Sequence, residues 1–303
     1  MIRTEELTKE YNGNIAVDRL DLEVKPGTVF GFLGPNGAGK TTTILMLTGM
    51  IEPTSGRSFI NDVDVREDPL EVKKIIGLLP EGVGFYDHLN GFQNLDYFAS
   101  FYNMEKEKRK ERIDSLLLMV GLYGIEQKVG GYSRGMTQRL GLAQALLNDP
   151  AVIFLDEPTS NLDPQGVLQM RETIKKLSDE GKTIFFSSHV LSEVSQVCDT
   201  VGIISEGRLV ECGGLEEIKK KLNAEKTVRI IVETSTKMPN LEHKDIVKTE
   251  YFENRVIIDA KYDIREAISK MIYEEEVLIL ELRIEESSLE DIFMKSIYDT
   301  GGD

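Results

Sequence analysis

The sequence predicts an α/β domain that is followed by a smaller α+β domain. Continuous apolar runs at 151–156 and 183–188 are typical of strands that are buried on both faces of a parallel sheet. These runs alternate with segments of helical periodicity, which is the pattern of an α/β protein. After residue 214 the pattern changes to half-buried strands and amphipathic helices. We therefore place the two domains at residues 1–217 and 218–303.

The predicted elements follow from local composition. Runs rich in apolar, β-branched and aromatic residues predict strands in the first domain at 20–24, 28–34, 76–80, 151–156 and 183–188. Apolar residues at helical spacing predict helices at 41–50, 104–120 and 137–147. In the second domain the same criteria predict strands at 227–234, 255–260 and 277–284, and helices at 216–226, 263–272 and 288–298.

Composition and charge argue against several classes of protein. The 303 residues carry 36 Lys and Arg against 52 Asp and Glu, a net charge of −16, whereas proteins that neutralise the phosphates of duplex nucleic acid need a basic face. No apolar run approaches the roughly 18 residues of a membrane-spanning helix, and the polar start lacks the apolar core of a secretion signal. Two cysteines and three scattered histidines favour neither a disulfide framework nor a structural zinc site. We expect a cytoplasmic protein that binds no nucleic acid.

A phosphate-binding loop is predicted at residues 34–41, where GPNGAGKT fits G-x-x-x-x-G-K-[ST] between a predicted strand and a predicted helix. Its glycines allow backbone N–H groups to surround a polyphosphate, and the following helix directs its N-terminus at the same anion. We expect Lys40 to reach the β- and γ-phosphates and the Thr41 hydroxyl to bind Mg²⁺. The predicted nucleotide-binding residues of this segment are Gly34, Pro35, Asn36, Gly37, Ala38, Gly39, Lys40, Thr41 and Thr42.

An acidic pair follows the apolar strand at 151–156. Asp156 ends the strand and is predicted to serve the metal, while Glu157 is predicted to act as the base for an attacking water. An Asp-Glu pair at a strand end is often only a solvated turn, but a phosphate-binding loop in the same chain favours the functional interpretation.

Together with these two motifs, the order of the motifs that follow makes residues 1–217 resemble the nucleotide-binding subunit of an ABC transporter. YSRGM at 132–136 is similar to the family signature LSGGQ and retains its serine and second glycine, while SNLD at 160–163 resembles the D-loop. Signatures of the form YS-basic-GM are familiar in the branch that works with ABC-2-type exporters. The resemblance implies a P-loop NTPase cassette with a RecA-like α/β core, an N-terminal antiparallel β part and a helical subdomain at about 85–150.

The resemblance also implies roles for individual residues. His189 matches the switch histidine that contacts the γ-phosphate and orients water, and Tyr11 lies where the family stacks an aromatic ring on adenine. Ser133 and Gly135 match signature residues that act on the ATP of the opposite subunit, and Asp163 matches the D-loop residue at the dimer seam. We therefore expect an ATPase that uses ATP and Mg²⁺ and works as a homodimer or pseudo-dimer.

One residue departs from the family pattern. Glu81 follows the predicted strand at 76–80, where the family usually has glutamine. A carboxylate can ligate Mg²⁺ but, when ionised, cannot donate a hydrogen bond as an amide does. We include Glu81 among the predicted metal ligands, with Thr41 and Asp156.

An aromatic-rich segment at 82–102 predicts where a partner docks. Clustered aromatic side chains suit an interface, and in the family this stretch receives a short helix of the membrane subunit. We expect a separate transmembrane permease subunit here, with the ATPase at the cytoplasmic face of the membrane and transport in the export direction. We also expect about half of the rings to point inward. The rings are those of Phe85, Tyr86, Phe92, Tyr97, Phe98, Phe101 and Tyr102.

Two other functions remain open at this point. A soluble regulatory ABC ATPase of translation or repair is disfavoured because the chain has one cassette and a short spacing between its P-loop and its signature. LPEGVGFY together with YSRGMTQRLGLAQALL also resembles the ATPase of transporters that support copper-enzyme maturation. The second domain contains no ligand motif, and a regulatory, capping or dimerising role is open for it.

Overall fold

The computed structural model describes residues 1–160, 162–218 and 228–285. The chain divides into two compact units, Met1–Leu215 and Glu216–Asp303. In the described ranges no helix is both long and apolar enough to cross a bilayer.

Two sheets make up the strand part of the first unit. The first contains β1 (Ile2–Tyr11), β2 (Asn14–Val24), β4 (Ser55–Ile60) and β5 (Val63–Asp64), paired antiparallel in the order β2-β1-β4-β5. The second contains β3 (Val29–Leu33), β6 (Ile76–Leu79), β7 (Val152–Asp156), β8 (Thr183–Ser188), β9 (Thr200–Ser205) and β10 (Arg208–Gly214), in the order β10-β9-β3-β8-β7-β6. Its strands pair in parallel except β10, which is antiparallel to β9, so the parallel strands end at one edge.

The helices of the first unit are α1 (Lys40–Leu47), α2 (Pro69–Ile75), α3 (Gly91–Ala99), α4 (Lys106–Met119), α5 (Arg134–Ala145), α6 (Pro164–Asp179) and α7 (Leu191–Val197). Helices α3, α4 and α5 pack against one another and form a helical subdomain. Aliphatic side chains fill its interior, because Leu95, Ile113 and Leu140 are fully buried.

The core of the first unit explains why its central strands are continuously apolar. Every residue of β7 and β8 is buried. The Phe185 ring centroid lies 5.3 Å from that of Phe30 and 5.6 Å from that of Phe154, which joins three neighbouring strands. This packing holds the strand ends, and the loops that follow them, in fixed relative positions.

The second unit contains a four-stranded antiparallel sheet that packs against a helix. Its strands are β11 (Val228–Thr234), β12 (Ile246–Tyr251), β13 (Arg255–Ala260) and β14 (Ile279–Glu285), in the order β12-β13-β11-β14. Helix α8 (Arg265–Glu274) buries Ile268 and Ile272 in the same cluster as the strand residues Ile230 and Ile258. The helix predicted at 288–298 lies outside the described residues, and the one predicted at 216–226 is described only to residue 218.

The predicted fold class is confirmed, including its antiparallel β part, helical subdomain and C-terminal α+β domain. Composition alone does not predict β1. Register shifts after Thr4 and Leu7 break the regular alternation of buried and exposed residues in this strand.

Candidate functional site

A polar cavity of about 630 Å³ is lined by residues that follow the parallel strands. The glycine-rich loop after β3 contributes Asn36, Gly37, Gly39, Lys40, Thr41 and Thr42. Residues after β6, β7 and β8 contribute Glu81, Glu157, Thr159, Ser160, His189 and Val190, and α7 contributes Glu193. The structure thus brings together sequence-predicted residues from four separate segments.

The glycine-rich loop needs its glycines for space and for backbone conformation. Gly39 has φ +104°, and a Cβ there would lie 2.5 Å from the Ala16 carbonyl oxygen. A Cβ at Gly34 would lie 2.3 Å from the Ile204 carbonyl oxygen. Side chains at these two positions would displace the loop, so glycine maintains its shape.

The loop ends in a helix start that suits an anion. Helix α1 has Gly39 as its N-cap, no side-chain cap and no acidic residue in its first turn. Its first backbone N–H groups therefore remain available to a bound phosphate. The buried ammonium of Lys40 donates to the carbonyl oxygens of Gly34 at 2.8 Å and Pro35 at 3.1 Å, which holds the charge inside the loop.

Glu157 joins this loop to the strand ends opposite. Its Oε1 lies 3.2 Å from Nζ of Lys40, and its Oε2 lies 2.9 Å from Nδ1 of His189. Glu157 is 6% exposed, and its Oε1 accepts no hydrogen bond from the described residues. Glu157 therefore presents to the cavity a buried carboxylate that an ammonium and an imidazole hold in place, and a carboxylate there can accept a proton.

Asp156 is held differently from its neighbour. It is buried at the end of β7, and its Oδ1 accepts a 2.6 Å hydrogen bond from Ser187 Oγ. The Ser187 hydroxyl also accepts from the Glu157 N–H at 2.9 Å, so one serine orders both acidic residues. Glu157 has φ +48°, in the left-handed region that few non-glycine residues adopt.

The described residues offer few ligands for a metal ion. Thr41 and Glu81 line the cavity, whereas Asp156 is not among its lining residues. The described part of the chain contains no group of three or more His, Cys, Asp or Glu side chains that could hold a metal alone. This donor set fits a hard cation that takes most of its oxygen ligands from a bound polyphosphate and water.

Ser133 and Gly135 of the signature and Asp163 of the D-loop line a second cavity of about 480 Å³. Ser133 caps α5 by accepting from the Met136 N–H at 3.2 Å, and Asp163 caps α6 by accepting from the Gly166 N–H at 2.8 Å. Gly135 also lines this cavity, which shares no lining residue with the first. One chain therefore presents two separate sets of predicted nucleotide-binding residues.

Some predicted residues lie outside both cavities, and some cavity residues were not predicted. Gly34, Pro35 and Ala38 belong to the loop but do not line the first cavity. Tyr11 does not line it either. The Tyr11 side chain is 45% exposed, and Lys9 Nζ lies 5.1 Å from its ring centroid. Several residues that line the cavities were not predicted from the sequence, among them Thr159, Ser160, Glu193, Arg134 and Arg139. Glu193 lies four residues after His189, in the first turn of α7, and this proximity is a signal that could have identified it.

The aromatic rings of 82–102 divide into two groups by burial. Tyr86, Tyr97, Phe101 and Tyr102 are 42–67% exposed, and the other three are half-buried. None of the seven is fully buried, so aliphatic residues and not these rings fill the interior of the subdomain. We call Phe85, Tyr86, Tyr97, Phe98 and Phe101 the aromatic cluster, since each ring lies within 6.5 Å of another.

The sequence of this chain is similar to those of known transporter proteins. Residues 17–160 match the family model described as ABC transporter. Over 300 residues the chain is 40% identical to the bacitracin transport ATP-binding protein BcrA of Bacillus licheniformis, covering 98% of this chain and 97% of that protein. The chain belongs to the ABC transporter ATP-binding proteins. As a member of this family it is an ATPase and the ATP-binding subunit of a transporter, as the sequence predicted.

Further relatives agree with this assignment. The linearmycin resistance ATP-binding protein LnrL of Bacillus subtilis is 28% identical over 303 residues, covering 97% of each chain. A solved ATP-binding subunit of an ABC transporter has a TM-score of 0.67 and 26% identity, covering 74% of this chain and 93% of that one. A dimeric ATP-binding cassette with ADP and Pi shares the fold, with a TM-score of 0.66, 24% identity and coverage of 71% and 99%. These proteins do not support the regulatory or copper-enzyme alternatives.

Proposed function

We propose that two copies of this chain bind two ATP molecules between them and that hydrolysis drives export through a separate ABC-2-type permease. The observation that carries the proposal is the position of Glu157, which contacts Lys40 and His189 in one cavity while the signature serine lies in another. We also propose 1–217 as the ATPase domain and 218–303 as an accessory domain.

The glycine-rich loop is the proposed binding site of the triphosphate. Backbone N–H groups of 34–42 and the start of α1 surround the phosphates, and Lys40 supplies the buried positive charge. The Tyr11 ring is proposed to stack on adenine; its exposure leaves one face accessible.

Three residues are proposed to hold Mg²⁺ with the nucleotide: Thr41 through its hydroxyl, and Asp156 and Glu81 through carboxylates. Bound there, the metal would neutralise phosphate charge during hydrolysis. Asp156 already accepts from Ser187 through Oδ1, so its second oxygen is the one that would serve the metal.

Glu157 is the proposed general base and His189 its partner. The Glu157 carboxylate, held by Lys40 at Oε1 and by His189 at Oε2, takes the proton of the attacking water. His189 is 45% exposed at its side chain, so the imidazole reaches both the carboxylate and the space where a γ-phosphate would lie. Lys40, Glu157 and His189 together orient the attacking water toward the γ-phosphate and exclude other orientations of that water.

The second cavity is proposed to complete the active site of the opposite copy. Ser133 and Gly135 at the start of α5 would face the γ-phosphate of the partner's ATP, and Asp163 would lie at the seam. Since the two cavities share no residue, a single chain has two half sites.

The aromatic cluster is the proposed docking surface for the permease, near residues 82–102. Exposed rings in mutual contact offer large apolar area with little loss of side-chain freedom on binding. Docking there would hold the ATPase at the cytoplasmic face of the membrane. The names of two full-length relatives, bacitracin transport and linearmycin resistance, support a compound of the same kind as bacitracin or linearmycin as the exported cargo.

Complementation tests the two-copy site. Lys40→Ala removes the P-loop half and Ser133→Arg blocks the signature half, so each variant alone is expected to be inactive. A mixed dimer keeps one intact site, and mixing equal amounts should restore a substantial part of the ATPase rate. A mixture as inactive as its components would refute the shared site.

A further inference from the structure

Glu193 lines the ATP cavity, although the function proposed above gives it no part. Its Oε2 accepts hydrogen bonds from Thr159 Oγ1 at 2.5 Å and from Ser188 Oγ at 3.0 Å. Thr159 is 4% exposed and Ser188 is fully buried. One carboxylate oxygen therefore satisfies two buried hydroxyl donors, and such charge-assisted hydrogen bonds are stronger than neutral ones.

These two hydroxyls belong to the segments that carry the catalytic pair. Thr159 follows Glu157 by two residues, and Ser188 directly precedes His189. The Ser188 hydroxyl also accepts from the Val190 N–H at 3.0 Å, so the chain is fixed on both sides of the histidine. Glu193 thus connects the loop after β7 with the loop after β8.

The catalytic pair needs such a connection. Glu157 and His189 meet at 2.9 Å although they leave different strands. Glu157 has φ +48°, a conformation that non-glycine residues adopt only when their surroundings hold them there. A shift of about 1 Å between reacting groups can lower a rate on the order of 100-fold.

We propose that Glu193 is a positioning residue for the Glu157–His189 pair and acts through Thr159 and Ser188. This inference rests on the roles proposed above for that pair. Glu193 holds the two loops at the spacing that hydrolysis requires, whereas the phosphate loop binds ATP without it. Its loss therefore lowers kcat and leaves ATP affinity unchanged.

Four variants of the full chain test this role, with kcat and the affinity for a non-hydrolysable ATP analogue as readouts. Glu193→Ala should lower kcat about tenfold or more and keep the affinity within about twofold. Glu193→Gln retains an amide oxygen with two lone pairs and should keep most of kcat. Thr159→Val removes one donor at nearly constant volume and should also lower kcat. Glu180→Ala, at an exposed glutamate after α6, is the control and should behave as wild type.

The kcat of the double variant Glu193→Ala/Thr159→Val should lie within about twofold of that of Glu193→Ala. Both substitutions remove the same Glu193–Thr159 hydrogen bond, so their effects should not add. If Glu193→Ala does not fold, Thr159→Val carries the test. The inference is wrong if these folded variants keep wild-type kcat, or if kcat and ATP affinity fall together. Glu157→Gln is measured alongside: if it still turns over ATP, the proposed function itself fails, independently of Glu193.

Discussion

Nδ1 of His189 lies 2.9 Å from Oε2 of Glu157, although 32 residues separate the two in the chain. The contact exists because β7 and β8 are parallel neighbours, with Asp156 opposite Ser187. Each residue leaves its strand at the same edge of the sheet. This pairing places a carboxylate and an imidazole in the cavity beside the glycine-rich loop.

The phosphate loop gives a prediction on backbone strain. Gly39→Ala combines φ +104° with a Cβ 2.5 Å from the Ala16 carbonyl oxygen, so the loop must shift. We expect a loss of more than about 1 kcal/mol in the free energy of unfolding and about tenfold weaker ATP binding. Calorimetry of unfolding and of nucleotide binding measures both effects.

Gly181→Ala is the matched control for this prediction. Gly181 also has positive φ, +84°, but a Cβ there would meet nothing within 4 Å. We expect about 1 kcal/mol of lost stability from the backbone alone and unchanged ATP affinity. Equal ATP affinities for the two variants would contradict the steric argument.

Glu81 gives a prediction on the metal. If its carboxylate ligates Mg²⁺, directly or through water, Glu81→Ala should raise the Mg²⁺ concentration for half-maximal ATPase rate several-fold, while Glu81→Gln should shift it less because the amide carbonyl can still bind. ATPase titrations with Mg²⁺ measure this. An unchanged titration for both variants would remove Glu81 from the coordination of the metal.

The aromatic cluster gives a prediction on assembly. Phe101 is 67% exposed and its ring centroid lies 5.4 Å from that of Tyr97. Phe101→Asp should abolish co-purification with the permease and leave ATP binding intact, since a charge in a desolvated aromatic contact is unfavourable. Tyr123→Asp, at a 59% exposed ring outside the cluster, is the control. Docking that survives Phe101→Asp would place the permease elsewhere.

Much of the site was predictable because its motifs are continuous in sequence. The phosphate loop occupies eight consecutive residues, 34–41, and the strand before it is apolar enough to be recognised. Asp156 and Glu157 follow directly from the apolar run before them. Such short-range patterns report local structure, which needs no knowledge of strand order.

Other features depend on contacts that no local pattern encodes. The bonds of Glu193 to Thr159 and Ser188 require the order of β7 and β8 in the sheet, which apolar runs do not specify. The exposure of Phe101 depends on which side chains fill the helical subdomain, and aliphatic residues do so. Strand β1 was not predicted either, because its register shifts depend on pairing with neighbouring strands and break the alternation of apolar residues.

The role of Glu157 as the base is tested most directly by Glu157→Gln. The amide keeps the size and packing of the buried side chain but cannot take a proton at the oxygen that faces Lys40. Single-turnover hydrolysis and ATP binding should be measured on the same preparation. The single-turnover hydrolysis rate of Glu157→Gln should be lower than that of the wild type by at least about 100-fold, and its ATP affinity should be unchanged. Hydrolysis at the wild-type rate would contradict the role of Glu157 as the base.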